Sequence, residues 1–211
     1  MVLVLLSDTH ELHRELDVPP GDLLIHCGDW TMFSKSRRAI EDFNAWLGDL
    51  PHRHRLLCPG NHEFYLEADP RRCDLTDNAT VLIDEAVTID GLKVFGSPMT
   101  PLYGGAFGRS SSADRRRHWA KVPEDTQVLI THGPPYGILD RSPGQQEHMG
   151  DPELLARCKE LKDLRLHVFG HVHGAYGMAE RDGVLYVNAA LLGPDGGIEH
   201  EPVVLRIGRD S

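Results

Sequence analysis

The chain has 211 residues, 40% hydrophobic and 26% charged, a balance that excludes disordered and fibrous chains. At this length folding buries about 70% of the unfolded surface, enough for one sizeable core, and residues 1–211 read as a single elaborated domain. The 32 acidic and 22 basic residues give a formal charge of −10, which argues against long nucleic acid as a partner, because such affinity comes from clustered Lys and Arg. The opening apolar run, Met1 to Leu6, is far short of the ~20 residues that span a bilayer, and shorter than a signal peptide's apolar region. The expectation is a cytoplasmic protein with no membrane partner. Cys27, Cys58, Cys73 and Cys158 show no paired spacing, so neither a zinc knuckle nor a disulfide scaffold is indicated.

In chain order, apolar runs of strand length fall at Val2 to Leu6, Leu23 to Cys27, Arg55 to Cys58, Val81 to Ile83, Leu92 to Gly96, Val128 to Thr131 and Leu166 to Gly170. Their near-continuous hydrophobicity suits strands covered on both faces. Helix-length stretches lie between several of them. Ser36 to Leu50 gathers Ile40, Phe43, Ala45, Trp46 and Leu47 on one side, and Asp114 to Lys121 and Pro152 to Leu164 follow. The tail changes period: Ala175 to Glu180, Val184 to Asn188 and Val203 to Ile207 read as antiparallel strands, with Asp182-Gly183 as a hairpin turn. This alternation predicts an α/β fold, a four-layer α/β/β/α sandwich of two mixed sheets flanked by helices. One irregular stretch, Ser97 to Ser112, carries Met99, Tyr103 and Phe107 among prolines and glycines. So long a loop is commonly functional, and Tyr103, Phe107 or, further on, Tyr136 is a candidate to stack on a substrate ring.

Open α/β sheets bind ligands just beyond the carboxyl ends of their strands, and five such positions here share one chemistry. They read Ser7-Asp8-Thr9-His10, Gly28-Asp29, Gly60-Asn61-His62-Glu63, His132-Gly133 and Gly170-His171-Val172-His173. One histidine at a strand end is ordinary. Two aspartates and five imidazoles in one crevice cost several kcal/mol per uncompensated charge, so a cation belongs among them. Nitrogen and oxygen donors without thiolate suit manganese, iron or zinc. Seven ligand candidates, Asp8, His10, Asp29, Asn61, His132, His171 and His173, suit two divalent ions ~3.5–4 Å apart, with Asp29 as the shared carboxylate.

This ordered set resembles the calcineurin-like metallophosphoesterases: Asp-x-His, Gly-Asp, Gly-Asn-His-Glu, His-Gly and Gly-His-x-His, spanning Asp8 to His173. Further stretches, Asp22 to Thr31, Phe43 to Pro51, Thr131 to Pro135 and His167 to His171, are similar to one branch, the metallophosphoesterase-domain phosphodiesterases of mammalian brain and their bacterial relatives. In some members of that branch the last metal-binding histidine is glycine; here His173 is present. In the phosphoprotein phosphatases of the superfamily the Gly-Asp motif continues into an Asp-Arg pair that helps hold phosphate. Met32 and Phe33 stand at those positions, and losing a guanidinium fork favours a phosphodiester monoanion over a monoester dianion.

The resemblance implies that Asp8, His10, Asp29 and His173 hold one ion, and Asp29, Asn61, His132 and His171 the other. It implies hydrolysis of small phosphodiesters by a metal-bridging hydroxide, with 2′,3′- or 3′,5′-cyclic nucleotides as candidate substrates. His62 is the candidate to steady the transition state or protonate the leaving oxygen, with Glu63 or another acid to orient it. Asn61, His62, Tyr103 and Phe107 are the candidate substrate contacts. The competing readings are a non-catalytic nucleotide-binding protein on the same fold, a nuclease or a phosphomonoesterase. The other histidines, His26 and His167 among them, read as core or solvated residues. Cys27 and Cys58 read as small buried hydrophobes, with a redox pair as the minority reading, and Arg115 to Arg117 as a solvated helix face.

Overall fold

The computed structural model describes residues 1–208; residues 209–211, the end of the expected 1–211 unit, lie outside the described residues. Its strands are β1 (Val2–Leu6), β2 (Leu23–His26), β3 (His54–Leu57), β4 (Thr80–Val81), β5 (Glu85–Ile89), β6 (Leu92–Ser97), β7 (Thr100–Pro101), β8 (Gly108–Arg109), β9 (Val128–Thr131), β10 (Leu166–Phe169), β11 (Gly177–Arg181), β12 (Val184–Asn188) and β13 (Val203–Arg206). The α-helices are α1 (Arg37–Asp49), α2 (Phe64–Ala68), α3 (Ser112–Trp119) and α4 (Pro152–Glu160).

The strands form a five-stranded sheet in the order β13-β1-β2-β3-β4 and a six-stranded sheet in the order β11-β12-β10-β9-β6-β5. Both are mixed: β1, β2, β3 and β4 run parallel with β13 antiparallel at the edge, and β6, β9, β10 and β12 run parallel between antiparallel edges. Side-chain alternation sorts the apolar residues into layers. Leu3 and Leu5 of β1, Leu23 and Ile25 of β2, Val128 and Ile130 of β9 and Leu166 and Val168 of β10 fill the space between the sheets. The intervening Val4, Leu6 and Leu24 face outward onto Ile40, Phe43, Trp46 and Leu47 of α1. On the opposite side Phe95, Leu129 and Phe169 face Trp119 of α3 and Leu154 and Cys158 of α4. The result is the four-layer α/β/β/α sandwich.

Helix starts follow their caps. The Ser36 Oγ accepts the Ala39 N–H at 3.2 Å, and Asp151 caps α4 with Pro152 in its first turn. The sequence reading extends α4 to Leu164, but extended backbone at Leu161 ends it after Glu160. It also misses β5, an edge strand with mostly exposed side chains that lacks the apolar run used to recognise the others. Ala175 belongs to a 3-10 turn, and β11 begins at Gly177. The 97–112 stretch is less irregular than its composition suggests: β7 and β8 pair within it, and Met99 and Ala106 are buried.

Arg115 to Arg117 is not simply a solvated face. Arg115 pairs with the buried Asp151 at 3.0 Å and Arg116 with Glu153 at 2.8 Å, joining α3 to α4, while Arg117 pairs with Asp114 on its own helix. Cys27 and Cys58 are buried free thiols whose pKa values burial pushes well up, which keeps them protonated.

Candidate metal centre

Parallel pairing in each sheet brings the strand ends to one rim, where the motif residues leave strand geometry. Asp8, His10, Asp29 and His171 have φ values of 57°, 40°, 57° and 67°, in the left-handed region that non-glycine residues rarely occupy. Hydrogen bonds between loops hold them there. Asp8 N–H donates to the Gly28 carbonyl at 2.9 Å and His10 N–H to the Asp29 carbonyl at 3.0 Å. The His171 N–H donates to Asp8 Oδ2 at 2.9 Å across the two sheets. Glycines precede the ligand candidates because their backbones touch carboxylates: a Cβ on Gly60 would lie 2.2 Å from Asp29 Oδ1, and one on Gly170 2.1 Å from Asp8 Oδ2.

The side chains converge in overlapping nests. Asp8, His10 and His173 offer ligand atoms within 4.8 Å of one another, and so do Asp29, His132 and His171. Asp29 Oδ2 lies 3.3 Å from His132 Nε2 and 3.8 Å from His10 Nε2, so it faces both nests. Asn61 Oδ1 lies 2.8 Å from His132 Nε2 and 3.0 Å from His171 Nδ1, joining the second nest. The third such group is His10, Asp29 and His62, with His62 Nε2 3.8 Å from Asp29 Oδ2. His171 and His173 part company as the chain turns beyond β10, each reaching a different nest.

The electrostatics fit a cation. Asp8 is fully buried, and its Oδ1 faces His173 Nε2 at 3.4 Å. Burial works to raise the Asp8 pKa, but the His173 hydrogen bond and the nearby imidazoles outweigh it and keep the carboxyl far below its ordinary range. Asp29 behaves alike: burial opposes ionisation, but His132 draws it down to about 2. The counterpart is His132, which burial alone would neutralise and the Asp29 carboxylate holds protonated. Its Nδ1 donates to the Cys27 carbonyl at 2.9 Å, so Nε2 is the nitrogen turned to Asp29 and Asn61. An imidazole nitrogen set against two oxygen acceptors needs a proton or a metal between them. The residues present therefore suit divalent ions, which would take over the compensation that a protonated His132 gives.

A family model of the calcineurin-like phosphoesterases matches residues 1–175. The chain belongs to that family. The family binds divalent metal ions and hydrolyses phosphoesters, in keeping with the donor set. This phosphoesterase is 36% identical to a Caenorhabditis elegans UPF0046 protein, over 99% of this chain and 76% of that protein. It is 35% identical to human metallophosphoesterase domain-containing protein 1, over 89% of this chain and 65% of the human protein, so it spans just under two thirds of that relative. Among solved structures, the phosphopantetheinyl hydrolase of Mycobacterium tuberculosis shares the fold at a TM-score of 0.54 and 16% identity, over 92% of this chain and 90% of that one.

The phosphoesterase's cleft, about 310 Å³, is lined by His10, Asp29, Asn61, His62, His171 and His173, with Met32, Phe33, Leu192 and Gly196 at its lip. Glu63 does not orient His62. Its carboxylate turns away and accepts the backbone N–H groups of Gly60, Asp29 and Thr31 at 2.7, 2.8 and 3.0 Å, tying the Asp29 loop to the Asn61 loop. Burial and the Asp29 carboxylate push Glu63 up to about 7 while those donors pull it down. Tyr103 and Phe107 do not line the cleft. The Tyr103 ring lies flat on His171, 4.0 Å between centroids, with its hydroxyl donating to the Met149 carbonyl. Phe107 packs against the α1 side of the core, and its N–H meets Glu67 at 2.7 Å. Tyr136 stands against His148. The aromatic at the site is Phe33, which sequence reading weighed only as a missing arginine. Two adjacent large apolar residues just past a ligand motif were the available signal.

Proposed function

We propose that this phosphoesterase is a phosphodiesterase of small substrates, with cyclic nucleotides the first class to test, and that it works with two divalent ions, manganese, iron or zinc. The observation that carries this reading is the pair of nests, Asp29 belonging to the second and facing His10 of the first at 3.8 Å. Asp8, His10, Asp29 and His173 would hold one ion, and Asp29, Asn61, His132 and His171 the other. When bound, such ions supply Lewis acidity, lowering a water's pKa from ~15.7 to about 7 and offsetting charge on phosphoryl oxygens.

The chain's own residues do the rest. Asp29 Oδ1 accepts the His62 N–H at 2.9 Å, so the shared carboxylate also sets where His62 stands. His62 Nε2 faces the cleft beside Asp29 and is the group to hold or deliver a proton at the leaving oxygen, worth ~10²–10⁴-fold. The cleft volume of about 310 Å³ sits at the small end of small-molecule sites, which supports a small ester. Met32 and Phe33 put apolar surface where a dianion grip would need cations, which supports a diester.

The test is hydrolysis of bis-p-nitrophenyl phosphate and of p-nitrophenyl phosphate with added manganese, followed by a panel of 2′,3′- and 3′,5′-cyclic nucleotides, in wild type, Asp29→Ala and Asn61→Ala. The diester is expected to be the faster substrate and both variants to lose turnover. A diester-to-monoester ratio below one overturns the diester reading. A thermal shift with AMP and no turnover of any ester would mark a nucleotide-binding protein instead.

A further inference from the structure

We propose that Phe33 is a positioning residue for His62: a left-handed aromatic, stacked on the imidazole, sets the ring plane that a hydrogen bond would otherwise set. The inference rests on the proposed role of His62 at the leaving oxygen. Phe33 and the next residue, Ser34, have φ values of 59° and 54°. A bulky side chain in that region is an outlier that persists only where its surroundings impose it, and such outliers cluster at functional sites. Phe33 is also 43% exposed, so no core burial offsets its backbone.

What imposes the conformation is the backbone of His62 itself. Ser34 Oγ donates to the His62 carbonyl at 2.8 Å, Thr31 Oγ1 stands 3.2 Å from that carbonyl and 3.0 Å from Glu63 Oε1, and the Ser34 N–H donates to Thr31 Oγ1 at 3.1 Å. On the other flank Met32 N–H donates to Glu11 Oε1 at 2.9 Å. The turn is thus bolted to the residue whose side chain it covers. It lays the Phe33 ring on the His62 ring with centroids 3.9 Å apart and planes within 19°.

The rest of His62's surroundings leave that stack the orienting task. The His10 ring meets His62 by its edge, 4.6 Å between centroids and 68° between planes. His62 Nδ1 is buried with no hydrogen-bond partner, and the neighbouring Glu63 carboxylate is spent on backbone N–H groups. Histidines that move protons are ordinarily held by a carboxylate or carbonyl on the far nitrogen. Here the far nitrogen has none, and a ring sandwich stands in. Lys35 Nζ lies 5.1 Å from the Phe33 centroid, holding that ring in turn.

The experiment joins a spectroscopic and a kinetic arm, with manganese-free protein for the first and manganese-loaded protein for the second. In proton–carbon spectra the His62 ring protons of wild type should be shifted upfield by the stacked ring, and should move downfield in Phe33→Ala and Phe33→Gly but not in Phe33→Tyr. Unmoved His62 signals in Phe33→Gly overturn the inference, whatever the enzyme hydrolyses. For diesters with an alkoxide leaving group, Phe33→Gly should lower kcat at least about tenfold with KM within about threefold, and Phe33→Tyr should restore it. In a His62→Ala background the same Phe33→Gly change should cost less than about twofold, because residues acting as a unit are not additive. Equal losses in both backgrounds overturn the positioning role. Glycine tolerates φ near 59°, so Phe33→Gly should melt no lower than wild type; a lower midpoint with no tyrosine rescue would make Phe33 merely structural. If His62→Ala leaves the rate unchanged, the proposed role of His62 fails, while the spectroscopic arm still reports whether Phe33 sets its ring.

Discussion

Among the places where this molecule buries histidine, two treat it in opposite ways. In the seam between the six-stranded sheet and α4, His167 reaches Thr131 Oγ1 at 2.8 Å with one nitrogen and Cys158 Sγ at 3.6 Å with the other. Burial drives its pKa down to about 3, so it stays neutral. In the crevice at the strand ends, His10 Nδ1 and His62 Nδ1 are buried without partners, and backbone geometry is strained at four ligand candidates. Lack of a partner does not by itself mark a site: His13 Nδ1 is also buried without one, yet His13 belongs to no group of three metal-capable side chains among the described residues. The distinguishing feature is convergence. Satisfied polar atoms hold a fold together, whereas here the Nε2 atoms of His10, His62 and His132 all turn to one point, Asp29 Oδ2, at 3.8, 3.8 and 3.3 Å, an arrangement that suits a ligand.

The contrast breaks most visibly at Asp29. Asp29→Ala should lower turnover of bis-p-nitrophenyl phosphate by about 10³-fold or more, by removing a ligand of the ions that would offset the developing charge. Metal analysis of the same preparation should show lost occupancy. A variant within tenfold of wild type would mean the two nests are structural like the seam.

Removal of metal by chelation should abolish activity and lower the thermal midpoint, because an ion that binds only the folded chain stabilises it by about 4 kcal/mol at a thousandfold excess over Kd. Calorimetry before and after chelation, with manganese, iron(II) or zinc added back, checks this. An unchanged midpoint would count against tightly held ions.

Glu63→Gln sits between the two regions, since Glu63 is buried like the seam but binds the loops of the crevice. Its amide group would turn a donor toward the N–H groups of Gly60, Asp29 or Thr31. We expect a stability loss of about 2 kcal/mol by chemical denaturation. A fall in turnover of about 10–100-fold should accompany it, the range for residues that orient ligands. Loss of stability without loss of rate would make Glu63 purely structural.

The smallest effect belongs to the seam. His167 is neutral when folded and takes a proton near pH 6.5 when unfolded, so the unfolded state binds more protons between about pH 6.5 and 3. Stability therefore falls as pH falls through that window, by about 2 kcal/mol at pH 5. In His167→Gln the difference between denaturation at pH 7 and at pH 5 should shrink by that amount, with no change in metal content. An unaltered pH slope would show that His167 is not held neutral.

Much of this was legible in the chain itself. The runs Val2 to Leu6 and Val128 to Thr131 declared doubly covered strands because apolarity on both faces has one explanation in a layered α/β protein. Edge strand β5, exposed along most of its length, carried no such mark. The seven ligand candidates were legible because each follows a strand, and parallel strands end on one rim. Glu63, Tyr103 and Phe107 were not, because where a side chain turns depends on neighbours far away in sequence.

The sequence by itself determined the layers, the family and the chemistry of the donors, since periodicity and short motifs are local properties. Only tertiary structure decided which donors meet, as when the His171 N–H reaches an Asp8 oxygen 163 residues away. It also decided that Phe33, not Tyr103, presents its ring to His62. Both outcomes follow from strand order and loop hydrogen bonds, which join distant segments and leave no trace in the spacing of any one of them.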